Sequence, residues 1–323
     1  MTAPRIGAAV DVGSNSVHLL AAHITDGGLR PMRDESVLLG LGDVVDSTGE
    51  ITAEAAQALL AALRGYAAGA HGMGAQAVSL IATEPLRRAV NAGDVRRRVM
   101  EEVGLPLHVL SEREEGLLTY LGVTAGRRPA RSLLVVDIGG GSSEVVMAQM
   151  GQPLQVISLP TGSGRLSRGI VEHDPPTADE LDALLDAAHR LTAGLPRARP
   201  ERAVFVGGTA TNLARLAPLR PDGLALAYRA LARLDAQELS RRHGVNLRRA
   251  FQLPAGAALV DALLAHFGLE GAKVSEASLR DGAIHAADRL GSAWLARLER
   301  YLERSLEPSW PLEERSSSAS AEP

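Results

Sequence analysis

Residues 133–147 read LLVVDIGGGSSEVVM, an apolar run followed by a glycine-rich polar turn and an alternating apolar segment. The run is typical of a buried strand and the alternation of a partly buried one, so the pattern predicts an antiparallel hairpin. Because glycine lacks a Cβ atom, backbone N–H groups in such a turn can converge on an anion, and serine hydroxyls add donors. The predicted phosphate-binding residues of this turn are Gly139, Gly140, Gly141, Ser142 and Ser143.

Two acids, Asp137 and Glu144, flank the turn. They would repel a bare phosphate, but hard oxygen ligands of this kind hold Mg²⁺ directly or through water, and the metal neutralises the phosphate charge. The stretch therefore predicts a site for phosphate and metal together. A glycine-rich hairpin with a structural aspartate is the alternative, because short glycine motifs are weak evidence when taken alone.

The same pattern occurs near the N-terminus, where residues 6–24 read IGAAVDVGSNSVHLLAAHI. Asp11 aligns with Asp137 and Gly13 with Gly139 at a constant offset of 126 residues, the separation of the two aspartates. A repeat of this size predicts two duplicated halves, each of which offers a loop to one phosphate site in the cleft between them. The candidates in the first loop are Gly13, Ser14, Asn15 and Ser16.

The composition agrees with two domains and excludes several classes of function and of site. A chain of 323 residues with 46% hydrophobic content can bury two cores, and a net charge of −4 argues against general nucleic-acid binding. The absence of cysteine excludes disulfides and thiolate zinc sites, and no signal peptide or apolar run of about 18 residues is found, which predicts a cytoplasmic protein without membrane association. Lys273 is the only lysine among 34 basic residues, so arginine is the cation available for phosphate.

Two polar segments that follow predicted strands are further candidates for the same site. In residues 83–91, Arg87 or Arg88 can reach a ligand at the end of a parallel strand, or can lie on a solvated helix. In residues 111–116, several acids fall in the first turn of a predicted helix, where they suit the helix dipole. One of them is a candidate general base, and spacing alone does not choose among Glu112, Glu114 and Glu115.

A third glycine loop follows the short strand predicted at residues 203–206. It precedes a predicted helix, as the phosphate-binding loops of α/β proteins often do. Its candidates for phosphate binding are Gly207, Gly208 and Thr209.

Taken together, these motifs resemble the exopolyphosphatase and guanosine pentaphosphate phosphohydrolase (Ppx/GppA) family. They occur in the family's order over roughly residues 5–290: DVGSNS at 11–16, ATEPLRRAVN at 82–91, SEREEG at 111–116, DIGGGSSE at 137–144 and GGTATN at 207–212. Residues 158–176, SLPTGSGRLSRGIVEHDPP, further resemble the short actinobacterial-type exopolyphosphatases. The joint pattern is much more specific than any single loop.

The resemblance implies an α/β fold with two ribonuclease-H-like domains of the actin/Hsp70/sugar-kinase superfamily around a cleft. Domain I would cover residues 1–126 and domain II residues 127–306, with the boundary in the arginine- and proline-containing segment that begins at Gly126. The Ser/Glu/Ala/Pro-rich residues 307–323 are predicted to be a disordered tail. The sequence leaves the oligomeric state open, with a homodimer as one alternative.

The resemblance also implies roles for individual residues. Glu115 takes the place of the catalytic glutamate and Arg87 that of a phosphate-contacting arginine, while Asp137 and Glu144 match acids associated with the metal and with catalytic geometry. Asp11 completes the implied ligand set for Mg²⁺, with Mn²⁺ as the alternative metal.

The implied reaction is hydrolysis of the terminal phosphoanhydride of inorganic polyphosphate, which releases orthophosphate. Hydrolysis of guanosine pentaphosphate (pppGpp) is the nearest alternative. A kinase or nucleotide hydrolase that uses ATP, and a regulator that binds polyphosphate or a nucleotide without hydrolysis, are the others.

The chain departs from the family pattern in two places. Glu84 and Pro85 replace smaller residues after Thr83, which is expected to alter the approach of the arginine to the phosphate. The C-terminal helical domains of longer relatives are not found, and the long polyphosphate channel and high processivity of those relatives are not expected here.

Overall fold

The computed structural model describes residues 5–152 and 154–306. The predicted tail at 307–323 lies outside these residues. The sequence also predicts a strand over residues 153–159, and its first position lies outside them too. The first half of the chain alternates strands and helices in a mixed α/β order. Its elements are β1 (Arg5–Val12), β2 (Ser16–Thr25), β3 (Gly28–Leu38), α1 (Leu41–Thr48), α2 (Ala53–Gly72), β4 (Ala77–Ala82), α3 (Glu84–Arg88), α4 (Ala92–Val103), β5 (Leu107–Val109) and α5 (Glu112–Thr124).

The second half begins with a similar three-stranded meander and then becomes more helical. Its elements are β6 (Leu133–Ile138), β7 (Ser143–Ala148), β8 (Gln155–Leu159), α6 (Ser163–Arg168), α7 (Ala178–Thr192), β9 (Arg202–Val206), α8 (Gly207–Leu213), α9 (Pro221–Leu231), α10 (Ala236–His243), α11 (Leu247–Ala250), α12 (Leu253–Phe267), β10 (Lys273–Val274), α13 (Leu279–Leu290) and α14 (Trp294–Leu306). A short 3₁₀ turn, Gly291–Ala293, separates the last two helices.

The described strands form two five-stranded sheets of the same topology. The first has the order β3-β2-β1-β4-β5 and the second the order β8-β7-β6-β9-β10. In each sheet the first three strands are antiparallel neighbours, and the fourth and fifth join them in parallel. The predicted α/β class and the duplication are thereby confirmed.

Helix α5 of the first half and helix α13 of the second half each pack on the other half's sheet. Helix α5 contacts β6, β7 and β8, and a Cβ atom on Gly116 would lie 2.4 Å from Val156 Cγ1 of β8. Helix α13 contacts β1 and β4, and a Cβ atom on Gly7 of β1 would lie 2.7 Å from Ile284 Cγ2 of that helix. The two helices also contact each other, so α5 and α13 form the layer between the sheets.

Hydrophobic burial follows this arrangement. In the described part of the chain, one buried cluster joins the first sheet to α2, and a second joins the second sheet to α7 and α12. A third cluster contains Ala9 and Ile81 from the first sheet, Val135 from the second, and side chains of α5, α13 and α14. This shared core holds the two sheets at a fixed separation, with their glycine turns facing one cleft.

The helices differ from the sequence-based expectation in three places. The sequence of residues 279–306 predicts a single long helix, but the helix is interrupted at Gly291, whose φ of +71° leaves the helical region. The sequence pattern does not predict helices α1 and α9. Helix α1 has only eight residues and is bounded by left-handed Gly40 and Gly49, while α9 starts at a Pro-Asp-Gly sequence that is typical of a turn. Every helix among the described residues is too short or too polar to cross a membrane.

Candidate functional site

The two glycine turns have the same backbone geometry. The N–H of Gly13 donates to the carbonyl oxygen of Ser16 over 3.1 Å, and the N–H of Gly139 donates to that of Ser142 over 3.0 Å. Before the turns, Asp11 pairs across the strands with His18, and Asp137 pairs with Glu144. The two halves of the predicted duplication therefore share the same hydrogen bond across their glycine turns.

The turns meet across the cleft. A Cβ atom on Gly140 would lie 2.8 Å from Asn15 Nδ2, so a side chain at position 140 would displace the Asn15 amide. Asn15 Nδ2 also donates to Gln252 Oε1 over 3.3 Å, which ties the first turn to α12 at its start. The predicted convergence of the two loops is thus present in the structure.

The serines of the turns differ in their partners. Ser16 Oγ lies 2.5 Å from His18 Nε2, and burial lowers the pKa of that imidazole to about 4, so the histidine is neutral near pH 7. Ser143 is fully buried and donates to the carbonyl oxygen of Thr161 over 2.9 Å. Ser14 and Ser142 instead donate to carboxylates of the cleft, those of Glu84 and Glu144.

The third glycine motif, predicted as a loop before a helix, instead forms the first turn of α8, directly after β9, and lies beside the same cleft against the second turn. Gly207 has φ +82°, and a Cβ atom there would lie 2.3 Å from Asp137 Oδ1. Gly208 lies against the guanidinium group of Arg249, since a Cβ atom on this glycine would lie 2.1 Å from Arg249 Cζ. Thr209 is buried and its Oγ1 lies 2.9 Å from Ser163 Oγ, so its hydroxyl is held within the second half.

Asp11 and Asp137 end equivalent strands and lie near each other at the bottom of the cleft. Burial raises the pKa of Asp11 to about 7, with Arg280 opposing the rise and Asp137 adding to it. Burial also raises the pKa of Asp137 to about 6, against the lowering effects of Arg249 and a hydrogen bond from Thr119. Among the described residues, Asp11 Oδ1 is a buried carboxylate oxygen without a hydrogen-bond partner. Such an oxygen suits a cation.

The three glutamates at the start of α5 point in different directions. Glu112 is exposed, and Glu114 closes a capping box with Ser111, from whose N–H it accepts over 2.7 Å. Glu115 is 6% exposed and accepts a short hydrogen bond from Arg87 Nη1 in the cleft. The structure therefore places Glu115, the residue chosen by family resemblance, beside the arginine chosen in the same way.

Glu115 and Glu144 form a close pair of buried acids. Because Gly116 lets α5 approach β7 and β8, the first half's glutamate lies next to the acid of the second turn. Burial and then the charge of Glu144 raise the pKa of Glu115 well above its ordinary value, and Arg87 opposes this. Burial and then the charge of Asp137 raise the pKa of Glu144 to about 8, although Ser158 donates to its Oε1 over 3.2 Å. Perturbed acids of this kind cluster at functional sites.

Sequence reasoning missed two residues of the cleft. Arg249 is half-buried against Gly208 and near Asp137, whereas its place in a short helix after Arg248 is typical of a solvated arginine. Arg165 of α6 bonds to Glu84 from across the cleft. For Arg249 the only signal was Gly208 opposite it, because a glycine pair after a buried strand indicates a close approach to the backbone.

Comparison with known proteins identifies the family. The profile of the "Ppx/GppA phosphatase family" matches residues 20–288. The chain belongs to the Ppx/GppA phosphatase family. Exopolyphosphatase 1 of Mycobacterium tuberculosis strain H37Rv is 34% identical over 302 residues, which cover 85% of this chain and 86% of that protein. Exopolyphosphatase 1 of Mycobacterium leprae is 33% identical, with 85% and 87% covered.

Solved structures agree with the Ppx/GppA assignment. The family member from Aquifex aeolicus superposes with a TM-score of 0.79 at 28% identity, over 90% of this chain and 99% of that one. An exopolyphosphatase from Cytophaga hutchinsonii has the same fold, with a TM-score of 0.76 at 22% identity over 87% and 97%. The two-domain α/β fold of the actin/Hsp70/sugar-kinase superfamily and the assignment to a family of hydrolases are confirmed as predicted.

Proposed function

We propose that this protein is an exopolyphosphatase that hydrolyses the terminal phosphoanhydride bond of inorganic polyphosphate and releases orthophosphate. The observation that carries the proposal is the convergence of both glycine turns, the two strand-end aspartates and the Glu115–Arg87 pair in one cleft. The relatives named exopolyphosphatase, which match most of the chain, support polyphosphate rather than pppGpp as the substrate.

Glu115 is proposed as the general base. Its carboxylate lies buried in the cleft beside Arg87, and burial raises its pKa, which makes the ionised carboxylate a stronger base toward a water molecule than an exposed glutamate. The deprotonated water attacks the terminal phosphorus in line with the leaving phosphate. Glu144, whose charge raises the pKa of Glu115, further favours transfer of the proton to this pair of acids.

Arg87 and the turns are proposed to stabilise the charge on the phosphoryl oxygens. Arg87 Nη1 also donates to the carbonyl oxygen of Leu110 over 2.7 Å. This bond holds the guanidinium group at the cleft when it releases the Glu115 carboxylate and binds phosphate. Most catalysis of phosphoryl transfer arises from such positioned donors. The proposed donors in the turns are the residues of 13–16, 139–143 and 207–209 named above, except for the hydroxyl groups of Ser143 and Thr209, which are bonded within the second half.

A divalent metal fits the donors at the bottom of the cleft. Within the described residues, no three histidine, aspartate or glutamate side chains form a metal-binding group. Mg²⁺, however, commonly uses one or two carboxylates and completes its shell with water and substrate phosphate oxygens. Asp11, with its unpartnered buried oxygen, and Asp137 are the proposed direct ligands, with Glu144 nearby and Mn²⁺ as the alternative metal. The metal would supply positive charge against the phosphoryl oxygens.

The substitution Glu115→Gln tests the mechanism. We expect it to reduce phosphate release from polyphosphate by at least about a hundredfold, because general-base catalysis of this kind contributes about 10²–10⁴. Binding of polyphosphate, measured by calorimetry, is expected to persist. Glu112→Gln, an exposed acid of the same helical turn, is the matched control and should keep normal turnover. Near-normal turnover by Glu115→Gln would reject the assignment.

One assay tests both the substrate preference and the metal dependence. Phosphate release is measured from short polyphosphate, long polyphosphate, pppGpp and ATP, after treatment with a chelator and after return of Mg²⁺ or Mn²⁺. We expect metal-dependent release, fastest from polyphosphate. Faster release from pppGpp would instead favour the alternative substrate, and tight ATP binding would favour a nucleotide enzyme.

A further inference from the structure

Glu84 places a carboxylate where the two glycine turns meet. Its Oε2 accepts a hydrogen bond from Ser14 Oγ over 3.0 Å, and a Cβ atom on Gly141 would lie 2.6 Å from the same oxygen. The side chain is 7% exposed. Ser14 belongs to the first turn and Gly141 to the second, so an anionic group of the protein lies between the two elements proposed to bind phosphate.

Two arginines hold this carboxylate from opposite sides of the cleft. Arg88 Nη1, on the same helix, lies 2.6 Å from Glu84 Oε1, and Arg165 of α6 bonds to that oxygen from the second half. Burial alone would raise the pKa of Glu84, but these two guanidinium groups hold it below its ordinary value. A hydroxyl, a glycine turn and two guanidinium groups are also the ligands that a phosphate group uses.

The ion pairs continue along the mouth of the cleft. Asp46 of α1 lies 2.6 Å from Arg88 Nη1 and 3.8 Å from Arg165 Nη2, and Arg168 bonds to both Asp46 and Asp43. The cavity left beside the turns is about 10 Å³, room for about one water molecule. A phosphate chain whose end reaches the turns must therefore separate acidic groups of the first half from arginines of the second.

We propose that Arg88 and Arg165 form the subsite for the phosphate group next to the one that is cleaved, and that Glu84 sets the affinity of this subsite by competing with the substrate for both arginines. The inference rests on the proposed function, because it places the second phosphate of a polyphosphate chain. When a phosphate group replaces the Glu84 carboxylate, the charge-assisted hydrogen bonds to both guanidinium groups are kept. Binding is weakened only by the free energy needed to separate the resident ion pairs.

The substitution Glu84→Gln tests the competition. A neutral amide holds the two arginines more weakly than a carboxylate does, so the substitution destabilises the free protein. The substrate complex lacks these ion pairs and is not destabilised, so the substrate binds more tightly. We expect the Kd for a short polyphosphate of defined length to fall about tenfold, since a charged hydrogen bond is worth about this much. The measurement is calorimetry with Mg²⁺ in the Glu115→Gln background, which prevents turnover, together with KM in the otherwise unmodified protein.

Two more variants give independent results. Arg165→Gln removes a proposed phosphate ligand and is expected to raise the Kd about tenfold or more. Asp46→Asn loosens Arg88 and Arg165 without touching the turns and should lower the Kd in the same direction as Glu84→Gln. Thermal unfolding of each variant establishes that it is folded. If Glu84→Gln does not fold, Asp46→Asn and Arg165→Gln still decide the result.

Exposed residues of α7 and α14 provide controls of matched charge. Asp182→Asn in α7 and Arg300→Gln in α14 change the net charge by the same amounts as the test variants, away from the turns, and should alter the Kd by less than about twofold. An unchanged or raised Kd in Glu84→Gln overturns the inference, since Glu84 would then position Arg165 rather than compete for it. Normal hydrolysis with unchanged KM in Glu84→Gln refutes only this inference, whereas failure of the unmodified protein to bind or hydrolyse polyphosphate refutes the proposed function as well.

Discussion

Glu180, in the first turn of α7, has a carboxylate that accepts several backbone hydrogen bonds. It accepts from the backbone N–H groups of Glu172, His173 and Thr177 over 2.7, 3.2 and 2.8 Å, and its Oε1 lies 2.9 Å from His173 Nδ1. Although burial opposes it, this set lowers the pKa of Glu180 to about 2 from an ordinary 4.5. Since the folded pKa is depressed, the carboxylate stabilises the fold above about pH 4.5, and the effect is lost as the pH falls toward 2.

We therefore expect Glu180→Gln to lower the free energy of unfolding at pH 7 by about 1–2 kcal/mol, as for loss of a capping carboxylate. The difference from the unmodified protein should shrink between pH 4.5 and pH 2. Thermal unfolding across this range measures it. The neighbouring exposed Glu172→Gln is the control, because only the backbone of Glu172 takes part. A difference that stays constant with pH would show that the loss comes from packing rather than from charge.

At the residue scale, motif spacing predicted the positions of the turn residues but not their partners. The contact of Glu115 with Arg87 required resemblance to a family, because Glu112, Glu114 and Glu115 are equally acidic in sequence. Glu84 was recognised as a departure from the family pattern, but the sequence did not indicate its bonds to Arg88 and Arg165. Contacts between side chains distant in sequence depend on how the halves pack, and no local pattern encodes them.

At the scale of elements, α5 and α13 cross at a contact that only glycines permit. A Cβ atom on Gly282 of α13 would lie 1.9 Å from the carbonyl oxygen of Leu118, and one on Gly122 of α5 would lie 2.2 Å from that of Ser278. Both obstacles are backbone atoms, so a methyl group must push the helices apart. This crossing holds α5 in place, and α5 carries Glu115 into the cleft.

Gly282→Ala is expected to lower the free energy of unfolding by about 1–3 kcal/mol, as other overpacking substitutions do. It should also lower kcat, because α5 shifts. Gly65→Ala, at an exposed position of α2, is the matched control, since no atom lies within 4 Å of its added Cβ. It should raise stability by about 0.5–1 kcal/mol through helix propensity. Equal effects of the two substitutions on thermal unfolding would contradict the proposed role of the crossing.

Element type was predictable where periodicity was strong and the element long. The strands of both meanders and helix α2 follow directly from their apolar patterns, and Thr52 caps α2 as its sequence indicates. The break at Gly291 and the short helix α1 are set by single glycines in the left-handed region, at positions where the apolar pattern continues or is too short to read. Helix boundaries of this kind depend on backbone torsion more than on periodicity.

At the scale of the whole molecule, one helix from each half of the chain packs on the sheet of the other half. The sequence repeat puts the proposed domain boundary at residues 126–127, yet α5 lies on the second sheet and α13 on the first. This exchange is a tertiary property that the duplicated motifs do not encode. It implies that the halves unfold together, because the third hydrophobic cluster contains side chains from both sheets.

Two leucine substitutions of equal size distinguish this coupling from independent halves. Leu302 of α14 belongs to the shared cluster and Leu184 of α7 to the core of the second half, and each is fully buried. We expect Leu302→Ala and Leu184→Ala each to cost about 2–5 kcal/mol, as buried leucine truncations do. Native-state hydrogen exchange should then rise in both β1 and β6 for Leu302→Ala, but chiefly in the second sheet for Leu184→Ala. If Leu302→Ala increased exchange in one sheet alone, the shared cluster would not couple the halves, and the two domains would be energetically independent.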